Sequence, residues 1–296
     1  MEKCTAFVLG GGGSRGAFQV GALRALLEAG IVPDLLVGTS IGAVNAAGLA
    51  LWGVDLNGVD ILEKTWQEVS GAQILDPRIS QLIVRAMVGR PSNRGRKNLE
   101  DFFVSHGFSH TLTFNQISWV RLAVVAADIE AGETVIYGQD PGQSILEGLM
   151  ASVSIPPWFA PYHKNDQILI DGGALSNLPI EPAMRMGATE IFALDLDDNP
   201  EPITDDLSIT QYFQKYIYAV SRRHVALESE LAEERGVLVH CVDFRGLSSA
   251  PMWDFSNHKT LIQAGYERTC QKIAEWRRAA QPEHLIPVPS QEKQMA

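Results

Sequence analysis

Apolar residues follow two rhythms along this chain. Residues 6–9, 35–37, 121–127, 168–170, 190–196 and 237–242 are short, mostly unbroken apolar runs, the length of strands buried on both faces. Between them the spacing turns helical. Val20, Leu23, Leu26 and Leu27 mark a helix over 17–29 that stops at Gly30, and an alanine-rich helix follows over 41–51. A short helix is predicted over 145–150. A long amphipathic one carries Ile209, Tyr212, Phe213, Tyr216, Ile217, Val220, Leu227 and Leu231 and ends at Gly236, and a last helix covers 257–278. Residues 133–137 are expected to pair back on 121–127 across the Ala131-Gly132 turn. The stretch 57–107 holds several helical patterns. The opening reads strand, glycine loop, helix, strand, sharp turn, helix, which predicts an α/β fold with a largely parallel central sheet flanked by helices. No linker divides the chain before residue 281, where Pro282, Pro287 and Pro289 mark a tail read as flexible over 281–296.

Composition narrows the function classes. With 296 residues, 46% of them hydrophobic, the chain can bury a large core. A formal net charge of -11 argues against nucleic acid as a partner, and no basic stripe reverses that. Cys4, Cys241 and Cys270 are too few and too scattered for a disulfide framework or a zinc site. The apolar run after Lys3 is too short for a signal peptide, and no apolar stretch of about 18 residues suggests a membrane span, so a cytoplasmic protein is expected.

Three short segments carry the chemistry. The first is Gly10-Gly11-Gly12-Gly13-Ser14-Arg15-Gly16, between a predicted strand and a predicted helix. Backbone N–H groups there can approach a phosphate or an oxyanion with no side chain in the way, helped by the positive end of the following helix. Gly11, Gly13 and Gly16 also spell a dinucleotide fingerprint, the basis for an alternative reading as a nucleotide-binding oxidoreductase. That fingerprint expects an acid at the end of the second strand; Asp34 precedes the strand, which ends in Gly38-Thr39-Ser40.

The second segment is Gly38-Thr39-Ser40-Ile41-Gly42, a Gly-x-Ser-x-Gly between strand and helix that presents Ser40 on a tight turn. A serine capping a helix in a glycine-rich turn is its bland counterpart. The third is Asp171-Gly172-Gly173, closing a strand, where a carboxylate points into the usual crevice of an α/β sheet. A turn with the aspartate in water is the plainer reading. A serine nucleophile needs a base. None of His106, His110, His163, His224, His240, His258 and His284 sits in a motif that marks one, although the sequence leaves a Ser-His-Asp triad open.

Taken in order, the glycine-rich loop with Arg15, Gly-Thr-Ser-Ile-Gly and Asp-Gly-Gly resemble the bacterial patatin-like phospholipases. The segment Ala151-Ser152-Val153-Ser154-Ile155-Pro156 with Phe159 and Pro161, and Asn177-Leu178-Pro179 after the aspartate, agree with it. The likeness covers residues 5–200, with 201–280 as a helix-strand-helix extension on the same domain. It implies a three-layer patatin-like fold and a lipid acyl hydrolase of phospholipase A or lysophospholipase type. It also implies a Ser40–Asp171 dyad and an oxyanion hole from Gly12 and Gly13, with no metal or cofactor. A non-catalytic lipid-binding or regulatory protein on the same fold is the competing class.

Several side chains have two readings. Arg15 either neutralises a lipid phosphate or faces outward to a surface carboxylate. Arg78, Arg85, Arg90, Arg94, Arg96 and Lys97, a local reversal of charge sign, form a solvated face first. The alternative is a flap in transient contact with a membrane surface. Trp158, Phe159 and Tyr162 are expected to be packed, with an acyl channel as the alternative. Asp195, Asp197 and Asp198 are expected to form a solvated acidic loop and not a metal site.

Overall fold

A computed structural model describes residues 2–71, 93–156, 158–197, 209–247 and 254–280. Arg78, Arg85, Arg90, Asp198 and the tail 281–296 lie outside the described residues. The strands are β1 (Thr5–Leu9), β2 (Leu35–Thr39), β3 (Arg121–Asp128), β4 (Glu133–Tyr137), β5 (Tyr162–Lys164), β6 (Gln167–Asp171), β7 (Glu190–Asp195) and β8 (Leu238–Asp243). The helices are α1 (Gly16–Glu28), α2 (Ile41–Trp52), α3 (Leu56–Gly71), α4 (Asn93–Ser105), α5 (Ile145–Ser152), α6 (Ile180–Arg185), α7 (Ile209–Glu234) and α8 (His258–Ala279). The short strand β5 had no sequence signal, being three residues of mixed polarity.

One sheet runs β5-β6-β3-β2-β1-β7-β8, with β4 also paired to β3. β3, β2, β1, β7 and β8 are parallel neighbours in that order. The β3–β4, β3–β6 and β5–β6 pairs are antiparallel. The unbroken apolar runs explain the layering, because alternate residues leave opposite faces of each strand. From β1, Phe7 and Leu9 join the core on one face, with Phe18, Leu23, Leu49 and Leu261 from α1, α2 and α8. Ala6 and Val8 join the core on the other face, with Ile180, Ala183 and Val225 from α6 and α7. Helices thus cover both faces.

Helices α1 and α8 cross closely because each has a glycine at the crossing. A Cβ on Gly21 would lie 1.9 Å from the Ile262 carbonyl oxygen, and one on Gly265 would lie 2.1 Å from that of Phe18. Phe18 in turn stacks on Phe244, ring centroids 5.1 Å apart.

Candidate active site

The position of Ser40 and Asp171 follows from how β3 shares its edges. Val124 and Val125 pair with β4 and also with β2, so these two neighbours occupy opposite edges of β3. Ala126 pairs with Val135 of β4 and with Asp171 of β6, so β6 lies on the edge that β2 has just left. β2 ends at Thr39 opposite Val125, and β6, running the other way, ends at Asp171 opposite Ala126. Two strands therefore meet end to end on one edge of β3, which brings together Ser40, the residue after β2, and Asp171, the last residue of β6.

The approach is close enough to require glycine. A Cβ on Gly172 would lie 2.4 Å from the Val125 carbonyl oxygen and 3.1 Å from Thr39 Cγ2. The Thr39 hydroxyl donates to the Ser176 carbonyl (2.9 Å) and ties the end of β2 to the loop beyond Asp171.

Ser40 sits at φ 57°, ψ -126°, one of two described non-glycine residues at positive φ. Such a conformation costs about 1–3 kcal/mol and persists only where surrounding structure imposes it. Here the imposing groups can be named. The Ser40 N–H donates to Ser152 Oγ (2.9 Å), and the Ser152 hydroxyl donates to the Val125 carbonyl (2.6 Å). The Ser40 carbonyl accepts from the N–H groups of Ala43 (2.9 Å) and Val44 (3.2 Å), starting α2. Gly42 lets the turn press on β1, since a Cβ there would lie 2.1 Å from the Leu9 carbonyl oxygen.

Asp171 is 8% exposed. Its Oδ1 accepts from the Gly173 N–H (2.7 Å), and Oδ2 is buried without a partner at full hydrogen-bonding geometry. Burial pushes the carboxyl up to about 6; the Ser40 hydroxyl beside it and the Gly173 N–H favour the charged form and oppose that rise. A carboxyl at about 6 is mostly ionised at neutral pH yet far more basic than one in water, and it has a serine hydroxyl as its neighbour. No hydrogen bond or ion pair that histidines make among the described residues reaches either group. His106 meets Glu68, His240 meets Glu190 and His258 meets the Phe255 carbonyl.

The glycine loop lies against this pair: a Cβ on Gly11 would be 3.1 Å from Ser40 Cβ. Three successive carbonyls of the loop are each held by a side chain. Gln19 Nε2 donates to Gly10 O (2.8 Å), Asn177 Nδ2 to Gly11 O (3.3 Å) and Arg15 Nε to Gly12 O (3.2 Å). In a trans peptide the carbonyl and the following N–H point opposite ways. Fixing Gly11 O therefore aims the Gly12 N–H, and fixing Gly12 O aims the Gly13 N–H. The amides of Gly10 and Gly11 are already bonded to Leu194 O and Asn177 O, whereas those of Gly12 and Gly13 make no such loop or strand bond among the described residues.

Some expectations need correction. Asp195 and Asp197 are not solvated; they are 2% and 9% exposed. Arg222 Nη1 meets Asp195 Oδ2 at 2.7 Å, and Ser221 donates to Asp197 Oδ2 at 2.7 Å. The end of β7 is covered by α7, which the acid-rich sequence does not reveal. Arg15 does not simply face outward: its Nε turns back to Gly12 O, and its charge opposes the burial-driven rise in the Asp197 pKa. Phe159 is packed, as expected. Arg96 lies over the Tyr162 ring, 4.7 Å from the centroid, and Lys97 pairs with Asp101 at 3.6 Å.

Pattern reading missed Gln19, Asn45 and Glu228 altogether, and placed Ser152 only within a family segment, with no role at the elbow. Asn45 donates to Gly16 O and Gln19 Oε1 and accepts from Trp66 Nε1. The only sequence signal was a polar residue placed among apolar helix positions.

A family model for patatin-like phospholipases matches residues 7–184. The chain is 31% identical over 189 residues to an uncharacterised NTE family protein of Mycobacterium tuberculosis, covering 64% of this chain and 30% of that protein. It is 31% identical to the neuropathy target esterase sws of Drosophila melanogaster, covering 69% of this chain and 13% of the fly protein. With the lysophospholipase NTE1 of Phaeosphaeria nodorum it shares 30% identity over 70% of this chain and 13% of that one. The chain thus spans under a third of the length of each of these relatives. The fold is also that of VipD from Legionella pneumophila, with a TM-score of 0.52 at 16% identity over 93% of this chain and 67% of VipD. Fold and site place the molecule among α/β proteins with a serine elbow facing a buried aspartate. The chain belongs to the patatin-like phospholipase family. Among the described residues no helix is long and apolar enough to cross a membrane.

Proposed function

We propose that this chain is a serine acyl hydrolase that cleaves carboxylic esters of lipids through a Ser40–Asp171 dyad. One observation carries the reading: β2 and β6 end against each other on one edge of β3, and the meeting point holds a strained serine beside a buried carboxylate with an oxygen to spare. Family membership supports lipid ester hydrolysis in general, and the name of the fungal relative makes lysophospholipids the first substrate class to test.

Ser40 Oγ attacks the ester carbonyl carbon while its proton passes to Asp171 Oδ2. Negative charge gathers on the carbonyl oxygen and is met by the Gly12 and Gly13 N–H groups and by the positive N-terminal end of α2. The intermediate collapses, the C–O bond breaks, and Asp171 returns the proton to the departing alkoxide. Water then repeats the sequence on the acyl-enzyme and frees the acid and Ser40. No step needs a metal or cofactor.

The test is labelling by a fluorophosphonate probe together with hydrolysis of a medium-chain 4-nitrophenyl ester and a lysophospholipid. Wild type should label and turn over, Ser40→Ala should do neither, and Asp171→Asn should fold while losing about 1000-fold or more in kcat. Labelling that survives in Ser40→Ala, or an equal loss from replacing a histidine, would overturn the dyad.

A further inference from the structure

The glycine loop is held by a largely buried polar chain that begins on α7 and ends, at half-buried Asn177, on one peptide plane. Asn177 grips Gly11 twice, its carbonyl accepting from the Gly11 N–H at 3.0 Å and its Nδ2 donating to Gly11 O at 3.3 Å. The same Nδ2 donates to Asp197 Oδ1 at 3.0 Å. Asp197 is fixed in turn: Ser221 of α7 donates to its Oδ2, and its own N–H donates to Asp195 Oδ1 at 3.0 Å, whose other oxygen meets Arg222. A carboxylate accepts without donating, so it can hold the amide of Asn177 in only one orientation, nitrogen toward it. That orientation is the one that also puts Nδ2 on Gly11 O.

We propose that Asn177, oriented by buried Asp197, is a positioning residue that aims the Gly12 N–H at the oxyanion. The inference rests on the Ser40–Asp171 reading and deepens it, because the Gly11–Gly12 peptide has no other side-chain anchor on its carbonyl among the described residues. Freed from Nδ2, that plane turns about its neighbouring glycines with little hindrance, and the donor loses alignment. Charge on the oxygen exists in the transition state and not in the bound ester, so the loss falls on kcat and spares KM.

The experiment compares wild type, Asn177→Ala, Asp197→Ala and Asp197→Asn on a medium-chain 4-nitrophenyl ester. Active sites are counted by end-point fluorophosphonate labelling, so that unfolded protein drops out of kcat. A wild type that neither labels nor hydrolyses the ester sinks the hydrolase reading itself, whatever the variants do. With an active wild type, Asn177→Ala should lower kcat about 10- to 100-fold with KM within about twofold, short of the roughly 100- to 1000-fold for a donor removed outright. Asp197→Ala, which replaces no residue of the loop, should fall in the same direction. Asp197→Asn, isosteric and still an acceptor toward Nδ2, should recover most of the kcat lost in Asp197→Ala. Wild-type kcat per labelled site in either alanine variant overturns the proposal. So does a loss confined to KM, or an Asp197→Asn no better than Asp197→Ala.

Discussion

At the scale of one residue, Asp171 shows how burial selects a role. A carboxyl in water titrates near 3.9 and is a feeble base; the same group 8% exposed at the head of β6 is pushed up to about 6. Among the described residues, the polar contacts that oppose the shift are one amide and the Ser40 hydroxyl. A base must be ionised to accept a proton, so activity should rise with pH through about 6 and level off above about 7. The measurement is kcat/KM for a 4-nitrophenyl ester between pH 4.5 and 8.5. A limb centred below about 4.5, where an exposed carboxyl titrates, would show that burial does not set the base. The same burial works against the fold. Because the native pKa is raised, the native state binds the proton more tightly, and the stability this provides is lost as pH rises through about 6.

At the scale of elements, what was legible in the sequence and what was not divide by the range of the interaction. The strand runs, the serine elbow and the Asp-Gly-Gly are local patterns, and the structure has them within a few residues of their expected bounds: β6, read as 168–170, is Gln167–Asp171, and β2 runs on to Thr39. That β2 and β6 would finish on one edge of β3 is a matter of register between residues far apart in sequence, Thr39 with Val125 and Ala126 with Asp171, and no local pattern encodes it. Asp195 and Asp197 were misread for the same reason, since α7 and its partners Ser221 and Arg222 come after them in the chain. Ser152 is the sharpest instance. In sequence it is a small residue at the end of α5; in space it joins β3 to the elbow by accepting from Ser40 and donating to Val125. Removing its hydroxyl leaves a buried N–H and a buried carbonyl short of a partner, a cost of about 1–3 kcal/mol for each group left unsatisfied. Ser152→Ala should therefore lower the melting temperature and, by relaxing the strained φ of Ser40, reduce kcat about 10-fold. Thermal unfolding and ester kinetics check both parts. A variant with wild-type kcat would mean that the strand ends alone hold the elbow.

At the scale of the whole molecule, α7 clasps the back of the site at three points along its length. Ser221 and Arg222 hold the end of β7, and Glu228 accepts from the Ser176 hydroxyl (2.7 Å) and the Glu181 N–H (2.8 Å). Ser176 is the residue whose carbonyl receives Thr39, so Glu228 braces the turn between Asp171 and Asn177. Burial pushes Glu228 up to about 7, with those two donors holding the rise in check. Like Asp171, it binds its proton more tightly folded than unfolded. Its contribution to stability is complete below about pH 4.5 and is lost as pH rises through about 7, on the order of 1–3 kcal/mol. The net charge of -11 makes self-repulsion grow over the same interval, so a fall in wild-type stability with pH would not by itself identify the group. Glu228→Gln separates the two. An amide does not titrate, and it leaves the other acidic residues in place. Its lost acceptor toward Glu181 lowers stability by about 1 kcal/mol at every pH alike. Unfolding by urea at pH 5, 6, 7 and 8 should show a shallower fall for the variant, by about 1–3 kcal/mol over the whole range. Parallel curves for the two proteins would place the pH sensitivity of the fold elsewhere, and would leave Glu228 as a brace that does not titrate in the neutral range.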